Sequence, residues 1–251
     1  MTLPSGSANT ALFIKNEDTS LMYELWDGYS GLPGLLDATR GRRGKRSGYT
    51  YDPATGKYYW TGTSQAVSEQ RLRTAVKRVS DEASLRMRKE TQQLIAGIIL
   101  LTVWYSSMRS LMNALYRTIF TVSIGGFAFE DDTARNVFYA LVLAQFSWLD
   151  NFAAQVRSGA QALNGSAITR AGMYGMYGNG LDQNIKLYHA HEQGYTEAKR
   201  VLGPTEDHCH DAGIRQGCQE LAHKGWMPLG DMVPIGDATC YSNCLCRIVY
   251  R

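Results

Sequence analysis

The chain has 251 residues, of which 44% are hydrophobic and 20% charged, and it carries a net charge of +3 with histidine neutral. That length can bury a substantial core and leaves room for one large domain or two modest ones. The balance of apolar and charged residues excludes global disorder at one extreme and a multi-span membrane protein at the other.

The opening MTLPSGSANTALF has no positively charged start and no sustained apolar run, which argues against a secretory signal and for a protein made in the cytoplasm. Residues 1–62 are rich in Gly, Ser, Asp and Tyr and show no helical period beyond a short candidate at LMYELW. The basic excess sits early. Residues 1–90 hold 14 Lys and Arg against 10 Asp and Glu, and the remainder holds 12 against 13. Its focus is RGRRGKR, where Arg40, Arg42, Arg43, Lys45 and Arg46 supply five positive charges and no acid. Such a run can neutralise phosphates by releasing counterions from a nucleic acid; interleaved with glycine, it also reads as solvated surface. Beyond it, SGYTYDPATGKYYWTGT predicts a small hairpin, with Tyr49 and Tyr51 before a turn at Asp52–Gly56 and Tyr58 and Trp60 after it.

From Ser64 the pattern turns helical, with Val67, Leu72, Val76 and Val79 near one face. Gly97 breaks it. The apolar stretch 94–104 is 11 residues long, too short to span a bilayer, which takes about 20, and is expected as a buried turn between helices. Leu101, Trp104, Met108, Leu111, Leu115 and Ile119 then define a second helix face, ending near Gly125–Gly126. FEDDT suits a helix start, and its helix is expected to bury Val137, Leu141, Trp148, Phe152 and Val156 before Gly159. The next segment carries Gly172, Gly175, Gly178 and Gly180. It therefore predicts a short helix, an interruption from close helix packing or a hinge, and a second helix before Gly194. Residues 195–251 read as turns and short strands. The expected architecture is mainly α: an N-terminal arm with a hairpin (1–62), a helical bundle (63–194) and a small Cys-rich α+β module (195–251).

All five cysteines fall in that module, at Cys209, Cys218, Cys240, Cys244 and Cys246, with His208, His210 and His223 nearby. A tetrahedral zinc site takes four ligands, commonly as two close pairs. Cys209 with Cys218, or a histidine, would give one pair, and Cys240 or Cys244 with Cys246 the other. Structural zinc, disulfides and buried free thiols all fit the pattern, since five is an odd number and neither pair is a C-x-x-C knuckle. Enzyme readings lack their motifs. His189, His191 and Glu192 read H-A-H-E without the P-C-x-x-C of a zinc deaminase, H-E-x-x-H is absent, and GMYGMYGNG follows a helix where a phosphate loop needs a strand. His189 and His191 are expected at the surface, and the Asn164-Gly165-Ser166 acceptor pattern as a loop.

The module's order of motifs is H-C, C-x-x-L-A, G-W-x-P-L-G, V-P-I-G and C-x-x-x-C-x-C-R-I, running from His208 to Ile248 through Cys218, Leu221, Trp226, Pro228, Gly236 and Asn243. It resembles the C-terminal signature of the Mu F-like head morphogenesis proteins of tailed bacteriophages. WYSSMRSLMNALYRT, LDNFAAQVRSG and TRAGMY resemble the helical stretches of the same family, and YDPATGKYY a recurrent hairpin. The likeness covers residues 49–251 and is strongest over the last forty-five. Two departures stand out: HDAGIRQG separates Cys209 from Cys218, and Leu245 stands where the family commonly has Arg. The resemblance implies a minor component of the phage head, made in the host cytoplasm and carried in the virion. It would act in assembly or genome delivery beside portal, capsid or connector proteins in a symmetric multi-copy assembly, near packaged DNA, with no catalysis and no membrane. Trp226 would pack beneath the final strand. A phosphate contact at RGRRGKR makes DNA affinity fall linearly with salt on logarithmic axes, and neutralising its five basic residues flattens that slope; salt-independent binding would remove the nucleic-acid reading.

Overall fold

The computed structural model describes residues 49–52, 57–60, 64–124, 132–203, 208–240 and 244–251. The basic run Arg40–Arg46 and the LMYELW segment lie outside the described residues. Strands β1 (Tyr49–Asp52) and β2 (Lys57–Trp60) form the expected antiparallel hairpin, Tyr49 opposite Trp60 and Asp52 opposite Lys57. A short third strand, β3 (Ala66–Val67), joins β2 with Val67 opposite Tyr58. The helix expected from Ser64 therefore starts later, as α1 (Glu69–Ile95), because sheet pairing takes the β-branched Val67 first.

Helices α2 (Leu101–Ser123), α3 (Asp132–Ser158), α4 (Gly165–Met176) and α5 (Gly178–Glu192) complete the bundle. Along α1 the buried stripe runs through Leu72, Val76, Val79, Ala83 and Met87, as the periodicity predicts. Trp104 of α2 is its anchor. Its indole Nε1 donates to Thr91 Oγ1 at 2.9 Å, and its ring meets Phe152 of α3 edge-on with centroids 5.2 Å apart, so a buried polar tip is satisfied while the ring fills the core.

Two expectations fail here for the same geometric reason, that an element at the rim has one covered side. The turn between α1 and α2 is not buried: Ile98 is 70% and Leu100 72% exposed. In α3 the covered stripe is Phe138, Val142, Phe146, Leu149 and Phe152, while Trp148 is 58% exposed. Within α3, the stretch Arg135–Ser158 is long and apolar enough to cross a membrane by length and composition, and 44% of its most apolar 18-residue window is buried against the protein.

The glycines of α4 and α5 set how closely these helices approach α1. A Cβ built on Gly175 would lie 2.4 Å from the backbone N and 2.5 Å from the Cα of Ser84, and one on Gly178 would lie 2.0 Å from Ser80 Oγ. Only a residue without a side chain fits. Close packing thus accounts for the glycine run, and Tyr177 marks the interruption between α4 and α5. Asn164, expected in a loop, caps α4: its side-chain oxygen accepts from the Ser166 backbone N–H at 2.9 Å.

The C-terminal module contains β4 (Glu197–Val201), α6 (Cys218–His223), β5 (Trp226–Pro228) and β6 (Arg247–Tyr250). The sheet order is β5-β4-β6, antiparallel throughout. Ala198, Cys218, Leu221, Met232, Ile235, Ala238, Cys244, Cys246 and Ile248 form its own core. Trp226 is on the far side of β4 from β6 and lies beneath the Arg251 guanidinium, 4.5 Å from the ring centroid, which corrects the placement under the final strand. Polar side chains of α5 join module to bundle. Asn179 Nδ2 donates to Cys244 O at 2.6 Å, and Asn184 Nδ2 to Ile235 O at 3.2 Å. Gln183 Oε1 accepts from Ile248 N at 2.9 Å. Behind them Asp182 accepts from Ser123 Oγ at 2.7 Å, Gln183 Nε2 at 2.8 Å and Lys186 Nζ at 2.9 Å.

Gly175→Ala is expected to destabilise the protein by about 1–3 kcal/mol, because α4 must move off α1. Gly165→Ala, where the added methyl meets open space, should stay within about 1 kcal/mol of the parent. Urea unfolding followed by circular dichroism measures both.

Candidate metal centre

Four segments of the module bring sulfur together around Cys218. α6 begins on Cys218 and turns it inward with Leu221. The approach to β6 alternates so that Cys244 and Cys246 are buried and Leu245 between them is half-buried. Cys209 and Cys240 approach Cys218 from flanking loops and are half-buried. Cys218 is the hub: its Sγ lies 3.5 Å from Cys240 Sγ and 3.5 Å from Cys244 Sγ. The five sulfurs form two groups, Cys209–Cys218–Cys240 and Cys218–Cys244–Cys246, each with sulfurs within 4.8 Å of one another. All five cysteines are free thiols here, with no disulfide between them.

These separations suit metal coordination. Ligands about 2.3 Å from a tetrahedral ion lie about 3.8 Å from each other, close to the two hub distances. The pairing differs from the expected two independent pairs, since Cys218 belongs to both groups. His208 is half-buried and in neither group. His210 is engaged elsewhere, with Nδ1 3.0 Å from Glu220 Oε1, and this bond holds the Glu220 carboxyl below its ordinary range. Of the two histidines expected at the surface, His191 is exposed and His189 is half-buried.

The long spacing between Cys209 and Cys218 is absorbed locally. Ala212 and Arg215 exchange backbone hydrogen bonds of 2.9 and 3.1 Å, so HDAGIRQG folds out as a tight turn with Ile214 at its exposed tip. The Gly217 N–H donates to Asp211 Oδ1 at 2.5 Å, and the Cys218 N–H then reaches Cys209 Sγ at 3.2 Å. A backbone N–H directed at sulfur stabilises the thiolate, which is the form that binds metal.

Electrostatics within the cluster are uneven. Cys244 is pushed well below the ordinary thiol range, first by hydrogen bonding from Cys218 and then from Cys240 and Cys246. Cys218 is pushed well above it, first through its hydrogen bond with Cys240 and then with Cys244.

Sequence reasoning found the cysteines and missed Arg200. This residue points inward from β4, fully buried, with its guanidinium 3.9 Å from both Cys218 Sγ and Cys244 Sγ. A second guanidinium nitrogen donates to Val233 O. The one available signal was alternation in EAKRV, which places Ala198 and Arg200 on the same face, and an apolar face gave no reason to seat an arginine there.

The cysteine cluster is therefore a group of soft donors able to hold a metal ion. Compared with models of protein families, with curated proteins and with solved structures, the chain matched none. Cys218→Ser removes the sulfur common to both groups and should reduce the sulfur-to-metal charge-transfer absorption of the Co2+-loaded protein more than any other single Cys→Ser change. Cys209→Ser removes an outer member and should weaken that absorption without eliminating it.

Proposed function

We propose that this chain is a minor structural protein of a tailed-phage head or head-to-tail connection, and that its C-terminal module is held closed by one structural Zn2+ ion. It works through contacts with portal, capsid or connector proteins in a symmetric particle, during assembly or genome delivery. Catalysis and membrane insertion play no part in this role.

The observation that carries the proposal is where the signature residues sit. Cys218, Leu221, Cys244, Cys246 and Ile248 form the module's core with Ile235 and Ala238. Gly225 takes φ +70, a conformation that suits glycine, at the turn from α6 into β5. A motif spent on closing a small domain fits a protein whose task is to present a shaped surface. Zinc suits the donors because a redox-inert ion taking four thiolates stabilises modules too small to rely on an apolar core.

Two exposed apolar regions support a role in protein contacts. One is the α1–α2 turn with Ile98, Leu100 and Val103; the other surrounds a cavity of about 240 Å3 lined by Trp148, Met173, Tyr174 and Tyr177. Contiguous apolar patches left in water commonly mark interaction surfaces.

Replacing Cys244 and Cys246 with Ser should loosen the module and reduce incorporation of the protein into particles, measured by particle yield, infectivity and the protein content of purified virions. Normal infectious particles from the double variant would overturn the zinc-closed module as an assembly element.

A further inference from the structure

We propose that Arg200 is the built-in counter-ion of the cysteine centre, a positioning residue that biases the five sulfurs toward thiolate metal binding and against disulfide closure. The proposal rests on the zinc reading above and assigns to this chain the residue that tunes the ion's environment.

Arg200 occupies an inward position of β4, directly opposite Ile248 of β6, with no exposure to water. Among the described residues no carboxylate forms an ion pair with it. Its contacts are the Val233 carbonyl and the two sulfurs of Cys218 and Cys244, while Nε has no partner. A guanidinium cannot shed its proton to escape burial, so its charge must be met by an anion inside the fold. The groups at hand that can become anionic are the thiols.

Charge balance then favours one state of the cluster. Four thiolates around a divalent ion leave a net charge of about −2, and a guanidinium against two of the sulfurs offsets half of it. Its N–H groups also donate toward the metal-bound sulfurs, as outer-shell partners do. A Cys218–Cys244 disulfide would be neutral at both sulfurs. It would leave the buried guanidinium facing no negative charge, so the arginine that supports the metal state opposes the oxidised one.

The test uses the full chain with Arg200→Met, Arg200→Gln and Arg200→Lys. Metal affinity is read by competition with a chromophoric chelator, the Co2+ charge-transfer band by absorption, and disulfide content in a glutathione redox buffer by mass spectrometry. Arg200→Met should weaken metal binding by about ten- to a hundredfold, the range for outer-shell partners. It should also move the charge-transfer band to lower energy and raise the disulfide fraction at a fixed redox poise. Arg200→Lys, which keeps the charge, should recover most of the affinity. Arg200→Gln should behave as the methionine variant does, and it carries the comparison if methionine prevents folding. Parental affinity, band position and disulfide content in both uncharged variants would overturn the role of Arg200 while leaving the zinc reading in place. A parental protein that takes up neither Zn2+ nor Co2+ would overturn the zinc reading and the Arg200 proposal together.

Discussion

A guanidinium removed from water at the centre of the terminal module is the constraint around which that module is arranged. The side chain of Arg200 enters from β4, the middle strand of its sheet, so it cannot swing outward without breaking the pairing to β5 or β6. The chain on either side must therefore bring acceptors to it. Val233 supplies a carbonyl from the loop after β5, and α6 and the approach to β6 supply sulfur. Three segments distant in sequence meet because one fixed charge needs all of them.

The join between module and bundle follows a second economy. α5 is an unusually polar helix for one so covered, and its amides explain why. The segments it faces around Ile235 and from Cys244 to Ile248 include irregular backbone whose groups lack sheet partners, and buried backbone groups need hydrogen bonds. Asn179, Gln183 and Asn184 supply them. An apolar helix face in the same place would have buried those groups unpaired. On its other side α5 is held by Asp182, whose carboxylate receives bonds from the end of α2 and from Lys186.

What the sequence disclosed divides along physical lines. Helices with a strong period were legible, as were the hairpin, the glycine interruption and the cysteine-rich module, because each is written in local spacing. Trp148 and the α1–α2 turn at Ile98 and Leu100 were misread because hydrophobicity states what a residue would gain from burial, and only the packing of neighbours decides whether cover exists. Within the module, the cysteines announced themselves by composition. Their common dependence on Cys218, the position of His208 outside both sulfur groups and the recruitment of Arg200 are products of tertiary convergence, and no residue within a few positions of these carries a trace of it.

The sheet order β5-β4-β6 also has a kinetic side. β4 lies beside the last helix of the bundle in sequence, yet one of its two partners, β6, comes only after a loop that contains all five cysteines. Helices close through near neighbours, whereas this pairing must first overcome the entropy of joining distant ends. An ion held by Cys218, Cys244 and Cys246 would tie part of that loop and shorten the search. With such an ion bound, the cluster would guide folding before it fixed the finished shape.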